Sequence, residues 1–365
     1  MKGKFLLFIR LVPLTMYLTM GLMAEDLLNK DDPHYTPREI PAREIPDPQD
    51  VSPQLQEEIA QPLDPLWKKQ PKTLAEWHSI IDRADIIITE RLLKSANALF
   101  TVDIEASTLN GIPVYTVSPK TIPDEHKDFT AIFIHGGGYV FNGGKGCLPE
   151  AMAMAHYGQI KVTTMDYRLL PDYPFPAGLD DVFTVYSEVL KSNKPENVVV
   201  FGTSAGGALA ASLMFKARDS GLPLPAAVGL GTPFADLSFE GDTYNTNEYI
   251  DNFLVSPHGL LKSIADIYAG SHDKKEPLIS PLYGDFSKGF PPTILTSGTR
   301  DLFLSNTVRV HQKIREANID AYLQVFEACS HAFYLQQLSS PESKMAYEQM
   351  VIFFKKYLGK KKSSI

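Results

Sequence analysis

Short apolar runs alternate with helical patterns over most of the chain after residue 130. The apolar runs have the length and residue types of buried strands, and the stretches between them have the amphipathic spacing of helices. Strands are expected at Ala131–Ile134, Lys161–Met165, Val198–Phe201, Ala226–Gly229, Thr293–Thr296 and Tyr322–Phe326. Helices are expected near Pro149–His156, Leu179–Lys191, Ala205–Ser220, Asn306–Ala317 and Pro341–Leu358. This order predicts an α/β fold with a mostly parallel central sheet and helices on both faces.

The segment before these strands has a different pattern. Residues 25–72 hold nine of the 27 prolines of the chain, and proline fixes φ and lacks an N–H group. We therefore expect an extended, Pro-rich arm over 25–72. The capping box Thr73-Leu74-Ala75-Glu76 then predicts a long amphipathic helix over 73–98. The turn signal Asn110-Gly111 predicts a hairpin between strands at Phe100–Ala106 and Ile112–Ser118.

One later stretch interrupts the alternation of strands and helices. Residues 235–272 are helical in pattern only around Leu260–Ala269. We interpret them as an insertion in a catalytic domain that spans 99–358. Together with residues 25–98, the insertion is expected to form a helical cap over the carboxyl ends of the strands.

The first 24 residues have the pattern of an export signal. Lys2, Lys4 and Arg10 form a positive region, an apolar run follows, and Ala24 provides a small residue at the cleavage position. We interpret residues 1–24 as a cleavable signal peptide, which predicts a secreted or periplasmic protein. A cytoplasmic or membrane-anchored protein is the alternative, although Arg10 leaves fewer continuous apolar residues than the roughly 20 of a spanning helix.

Composition and charge argue against several classes of partner. The formal net charge of the 365 residues is −8, and the one strongly basic run is the tail over 359–365, so no nucleic acid partner is expected. Cys147 and Cys329 lack the spacing of a zinc site, and no cofactor or metal is expected. Whether these two cysteines pair in a disulfide is left open, since sequence alone does not give the geometry of a bridge.

Two glycine-rich motifs follow predicted strands. Gly202-Thr203-Ser204-Ala205-Gly206 has the G-x-S-x-G spacing of a strand-to-helix turn that exposes a nucleophilic serine. His135-Gly136-Gly137-Gly138 presents bare backbone N–H groups, which can be aimed at an oxyanion. The glycines lack the G-x-G-x-x-G spacing and no P-loop lysine follows, which argues against nucleotide binding. Together the two motifs indicate acyl transfer through a serine ester.

A serine hydroxyl needs a base to take its proton, and the base needs an orienting acid. Asp301 follows the predicted strand Thr293–Thr296, and His331 follows Tyr322–Phe326, so both lie at carboxyl ends of strands. The order Ser204, Asp301, His331 is that of α/β-hydrolases; in subtilisin-type proteases the serine comes last. Glu327 is an alternative acid, closer to His331 in sequence but within the strand end.

Other side chains near these motifs have less specific patterns. We expect His135 to orient the glycine loop rather than to react. Tyr139 and Phe141 either line an acyl pocket or pack in the core, and the sequence does not decide between the two. A buried network of paired charges is expected from Asp166, Arg168 and Asp180.

The motifs together resemble those of one family. The matching segments are His135-Gly136-Gly137-Gly138, Gly202-Thr203-Ser204-Ala205-Gly206-Gly207, Asp166-Tyr167-Arg168-Leu169-Leu170-Pro171, Pro174-Phe175-Pro176-Ala177, Asp301-Leu302-Phe303 and His331. They resemble the hormone-sensitive-lipase family of bacterial carboxylesterases, which have the α/β-hydrolase fold, over roughly 51–358. Most members have Asp where this chain has Thr203, which is similar to the GTSAG branch. The resemblance implies Ser204 as nucleophile, His331 as base, Asp301 as acid and oxyanion donors at the N–H groups of Gly136, Gly137 and Ala205.

The expected function is hydrolysis of short-chain carboxylic esters, with a small-molecule ester as the partner. Lactone, amide and thioester hydrolysis use the same machinery and remain alternatives. A non-catalytic binding protein on the same fold is a further alternative, since fold does not fix function. The resemblance to the GTSAG branch also implies a homodimer.

Overall fold

The computed structural model describes residues 39–360. The predicted signal peptide over 1–24 lies outside the described residues, as does most of the basic tail. Residues 39–46 belong to a first unit and form no helix or strand. All features below belong to the second unit, which begins at Asp47.

A single sheet of eight strands crosses this unit. In chain order the strands are β1 Val102–Leu109, β2 Ile112–Pro119, β3 Thr130–Ile134, β4 Lys161–Met165, β5 Val198–Thr203, β6 Ala227–Gly231, β7 Thr293–Gly298 and β8 Ala321–Phe326. Their order across the sheet is β1-β2-β4-β3-β5-β6-β7-β8. Strand β2 is antiparallel to β1 and to β4, and all the other pairs are parallel. The predicted fold class, a mostly parallel sheet, is confirmed.

Ten α-helices lie in the described residues. They are α1 Pro53–Ile59, α2 Leu74–Leu99, α3 Leu148–Gly158, α4 Ala177–Ser192, α5 Ala205–Asp219, α6 Thr243–Thr246, α7 Leu260–Ala269, α8 Leu304–Glu316, α9 Phe333–Gln336 and α10 Pro341–Tyr357. Each helix and strand predicted from the pattern is present, with ends that differ by a few residues. Within residues 39–360, none of the helices combines the length and the apolar character needed to cross a bilayer.

Both faces of the sheet are covered by apolar clusters. Side chains alternate along β3, so Ile132 and Ile134 belong to one cluster and Ala131 and Phe133 to the other. Helices α4 and α5 pack on the first face, and α3 and α10 pack on the second. Burial on both faces explains why β3 and β5 are continuous apolar runs rather than alternating ones.

The hairpin between β1 and β2 has the turn that the sequence predicts. Asn110 has a φ of 48° and Gly111 a φ of 85°, so both central residues are left-handed. This conformation is that of a type I′ turn, whose twist matches the twist of the two strands.

The Pro-rich arm differs from its prediction. It is not extended throughout, because it contains helix α1 and a 3₁₀ turn at Pro65–Lys68. Ser52 caps α1 by accepting from the N–H of Leu55, and Pro53 takes the first helical position, where its missing N–H costs nothing. The backbone N–H and the hydroxyl of Ser52 both donate to Glu342 on α10, at 2.8 and 2.6 Å. A cap and a long-range anchor therefore overcome the extended preference of the arm.

The predicted charge network also needs correction. Arg168 pairs with Asp181 rather than with Asp180, through three bonds of 2.7 to 3.1 Å to its side chain. Asp180, one position earlier on α4, forms an ion pair with Lys216 instead. Arg168 is exposed while Asp181 is buried, so the pair lies at the boundary between core and surface rather than within the core. Cys147 and Cys329 are both buried and are not bonded to each other.

Candidate active site

Ser204 occupies the sharp turn between β5 and α5. Its φ of 58° and ψ of −120° are strained for a residue with a Cβ atom. The turn is possible because a Cβ on Gly202 would overlap the Gly206 carbonyl, and one on Gly206 would overlap the Ile134 carbonyl. The Ser204 N–H donates to the Gly231 carbonyl of β6 at 2.8 Å, which holds the turn in place.

The glycine loop after β3 packs directly on this turn. A Cβ placed on Gly136 would lie 3.2 Å from the Cβ of Ser204 and 2.8 Å from the Thr203 carbonyl oxygen. Gly137 and Gly138 have φ values of 103° and 61°, a conformation that other residues rarely adopt. Within the described residues, the N–H groups of Gly136, Gly137 and Ala205 donate to no other backbone carbonyl. They are therefore free of the bonds that would keep them from an oxyanion.

His135 orients this loop from within the core. Its Nδ1 lies 2.8 Å from the Gly136 carbonyl oxygen, and its ring stacks on Tyr167 with centroids 4.2 Å apart. The hydroxyl of Tyr167 donates to the His135 carbonyl at 2.9 Å. Burial lowers the pKa of His135 to about 4, so the ring is neutral at physiological pH. These contacts fit the orienting role that we expect of it.

Asp301 and His331 lie side by side at the neighbouring strand ends. His331 Nδ1 is 3.1 Å from Asp301 Oδ1, and both side chains are buried. Asp301 also accepts from the Ser297 hydroxyl at 2.6 Å and from the Phe303 N–H at 2.9 Å. The alternative acid, Glu327, is exposed in the turn that follows β8.

An apolar cavity opens at the turn that carries Ser204. It is bordered by Ser204, Thr203 and the three glycines of the loop. Ala332, which follows His331 in the sequence, also borders it. Phe253 also lines it and stacks on His331, with ring centroids 6.1 Å apart and planes inclined by 8°. The remaining walls are Asp64, Leu66, Trp67, Ile88, Leu92, Phe141, Asn142, Phe234, Leu254, Leu260, Leu261, Ile264, Leu335 and Gln336.

The two aromatic candidates of the sequence have different places. Phe141 lines the cavity. Tyr139 does not border it and packs in the core, where its ring stacks on Tyr268 with centroids 3.8 Å apart. Most of the other apolar residues that line the cavity belong to residues 25–98 and 235–272, the two segments expected to form the cap. None of them lies in a sequence motif that predicts a place in the cavity wall.

A buried polar network below Ser204 was not anticipated from the sequence. The Thr203 hydroxyl donates to Glu150 Oε2 on α3 at 2.6 Å and lies 2.8 Å from the Tyr334 hydroxyl on α9. All three side chains are buried. Burial raises the pKa of Glu150 to about 8, so its neutral acid form is favoured. Thr203 thereby joins the turn that carries Ser204 to the segment that follows His331.

Comparison with known proteins agrees with this geometry. A family model described as the alpha/beta hydrolase fold matches residues 131–335. The chain belongs to the α/β-hydrolase fold family. This hydrolase is similar to the putative acetyl-hydrolase LipR of Mycobacterium tuberculosis, with 29% identity over 71% of this chain and 82% of the relative.

Solved structures give the same result. The hydrolase is similar to the crystal structure of an esterase named E25, with 36% identity, a TM-score of 0.84 and coverage of 88% of this chain and 99% of that one. A structure described as an esterase from the bacterial hormone-sensitive lipase family has 26% identity, a TM-score of 0.74 and coverage of 85% and 100%. These findings confirm the family predicted from the motifs and support esterase or acetyl-hydrolase activity.

Proposed function

We propose that this hydrolase is a serine carboxylesterase that cleaves short-chain esters through an acyl-enzyme. The observation that carries the proposal is that Ser204 and the three glycines of the loop border one apolar cavity. Phe253 lines the same cavity, and the ring of His331, which contacts Asp301, stacks on the ring of Phe253. The proposed nucleophile and anion-binding loop therefore border one cavity, and the proposed base, with its acid, stacks on a residue of the cavity wall.

Each proposed step uses a named atom. Ser204 Oγ attacks the ester carbonyl carbon while His331 Nε2 takes the hydroxyl proton, and Asp301 at Nδ1 fixes the tautomer that leaves Nε2 free. The N–H groups of Gly136, Gly137 and Ala205, the last at the start of α5, stabilise the oxyanion. His331 then gives its proton to the departing alcohol oxygen. Water repeats the attack on the acyl-enzyme with the same base, which releases the acid and restores Ser204.

The walls of the cavity determine the proposed substrate class. They are mainly aliphatic and aromatic, which favours neutral, apolar groups around the reacting carbonyl. Residues of the arm, such as Trp67, and of the insertion, such as Leu254, line the cavity, and we expect them to limit the length of the acyl chain. Export by residues 1–24 and a homodimer remain predictions from the sequence and the family resemblance.

The test is the hydrolysis of p-nitrophenyl esters from acetyl to palmitoyl by the purified protein. We expect a higher kcat/KM for butyryl or shorter esters than for twelve-carbon or longer ones, with no activation by emulsions. Ser204→Ala should lose several orders of magnitude in kcat while remaining folded. Ser212 is a buried serine on α5, the helix that follows Ser204, so Ser212→Ala is the matched control and should stay active. An active Ser204→Ala, or a preference for emulsified long-chain triglycerides, would contradict the proposal.

A further inference from the structure

Two residues of the insertion clamp the backbone on which Asp301 sits. Asn247 Nδ2 donates to the carbonyl oxygens of Thr299 and Asp301, at 3.1 and 2.9 Å. Asp251 Oδ2 accepts from the N–H of Leu302 at 2.8 Å. The peptide that joins Asp301 to Leu302 is thus bonded through both its C=O and its N–H. Asn247 and Asp251 are one helical turn apart, since the Asp251 N–H donates to the Asn247 carbonyl at 3.1 Å.

The same Asp251 carboxylate also shapes the cavity wall. Its Oδ1 accepts from the N–H groups of Phe253 and Leu254, at 2.9 and 3.1 Å. Both residues line the cavity, and Phe253 stacks on His331. One carboxylate therefore ties the wall that meets substrate to the backbone of Asp301.

The position of Asp251 is unfavourable for a charge. The side chain is fully buried, and the titratable groups that face it from neighbouring elements are Asp301 and His331. Burial and the negative charge of Asp301 raise the pKa of Asp251 to about 6, while His331 opposes this rise. On its own segment, Glu248 is engaged with the Ser256 hydroxyl at 2.6 Å. An amide in place of the Asp251 carboxylate would avoid the cost of the buried charge. Its NH₂ group, however, could not accept from backbone N–H groups, as both carboxylate oxygens of Asp251 do.

We propose that Asn247 and Asp251 are positioning residues that hold Asp301 in place for His331 and link this placement to the cavity wall. The proposal rests on the proposed function, because it assigns a role only if Asp301 orients a catalytic base. It makes the insertion a part of the catalytic apparatus as well as a cover over it.

Asn247→Ala removes the two bonds to the Asp301 segment without touching the wall. We expect kcat to fall about ten- to a hundredfold and KM to stay within about twofold, because a misplacement of about 1 Å costs that much in rate. Asp251→Asn should lower kcat and also raise KM, since the wall loses an acceptor. Asp273→Asn is the control, an exposed aspartate that caps a local turn just beyond the insertion, and should behave as wild type.

A pH profile separates positioning from general weakening of the fold. Asp251→Asn removes a buried negative charge that interacts with His331, so the acid limb of kcat/KM should move to lower pH. A purely structural effect would lower the rate without moving this limb. Asn247→Ser keeps one hydrogen-bond donor on a smaller side chain, so its kcat should lie between those of wild type and Asn247→Ala. It replaces Asn247→Ala in the test if that variant does not fold.

The outcomes distinguish the two proposals. If wild type and Asp273→Asn hydrolyse no ester, the proposed function fails. If both are active and the folded Asn247 and Asp251 variants keep wild-type kcat and acid limb, the positioning role is overturned and the esterase assignment stands.

Discussion

At the scale of single residues, the environment of Asp301 separates it from its rival. Asp301 is buried and accepts from Ser297 and Phe303 while it contacts His331. Three polar contacts leave its carboxylate little freedom to rotate. Glu327 is exposed, and closeness to His331 in sequence does not place its side chain against the ring. Geometry therefore favours Asp301 as the proposed acid.

Asp301→Asn tests this assignment. An amide can offer His331 Nδ1 either an oxygen or an NH₂ group, and the NH₂ orientation supports the wrong tautomer of the ring. We expect kcat to fall about 10³-fold or more, measured on p-nitrophenyl butyrate. Glu327→Gln is the matched control and should stay within about twofold of wild type. The assignment is wrong if Glu327→Gln proves the more damaging change.

The sequence predicts some of these residues and not others, for a physical reason. Ser204 and the glycine loop are visible because the backbone geometry they need requires glycines at short, fixed spacing. Asp251 contacts Leu302, 51 positions away, from an irregular segment with no periodic pattern. Such a contact depends on how the insertion folds back, which local spacing does not encode.

At the scale of elements, the sequence predicts the end of a helix best where the residues that cap it are close together in the sequence. The capping box of α2 is formed as predicted, with Thr73 Oγ1 accepting from the Glu76 N–H at 3.3 Å and Glu76 Oε2 from the Thr73 N–H at 3.1 Å. Helix α1 is absent from the sequence prediction of an extended arm, because part of what holds it is the pair of bonds from Ser52 to Glu342, 290 positions away. Helix α3 contains Glu150, whose burial is not predicted by any local sequence pattern.

Glu150 should make stability depend on pH. Its pKa is raised by burial from 4.5 to about 8 in the folded state, so folding favours the protonated form. The unfolded chain releases this proton above about pH 4.5, and the stabilising contribution is lost as pH rises towards 8. Glu150→Gln has no such titration. We expect its free energy of unfolding to exceed that of wild type by about 1 kcal/mol or more at pH 8, and the difference to shrink towards pH 4.

Urea denaturation at pH 4, 6, 8 and 9 measures this difference. Glu316→Gln, at an exposed position of α8, is the control and should follow the wild-type pH dependence. Parallel curves for wild type and Glu150→Gln would show that Glu150 does not carry the raised pKa.

At the scale of the whole catalytic unit, the arm and the insertion close on each other beside the cavity. The Asp64 N–H donates to the Asn252 carbonyl at 2.9 Å, and Asn252 Nδ2 donates to the Glu58 carbonyl at 2.8 Å. The rings of Trp67 and Tyr249 meet edge to face with centroids 5.5 Å apart. Two segments far apart in sequence thus form one cover, and the sequence indicated both segments but none of these contacts.

Helix α7 provides a matched test of this cover. Gly259 and Gly270 flank it with nearly equal backbone angles, φ 69° and ψ −124° against φ 57° and ψ −120°. A Cβ on Gly259 would overlap the Trp67 carbonyl oxygen of the arm, whereas one on Gly270 would meet open space. Both substitutions by alanine carry the strain of a positive φ, and only Gly259→Ala forces the arm and the insertion apart.

We therefore expect Gly259→Ala to raise KM for butyryl esters several-fold and to reduce the preference for butyryl over dodecanoyl esters. Gly270→Ala should lose similar backbone stability, about 1–3 kcal/mol, and keep the wild-type KM and acyl preference. Steady-state kinetics on the two esters and urea denaturation of both variants measure these effects. Equal kinetic changes in the two variants would mean that backbone strain alone acts on the site, and unchanged acyl preference in Gly259→Ala would mean that contact between arm and insertion does not limit the substrate.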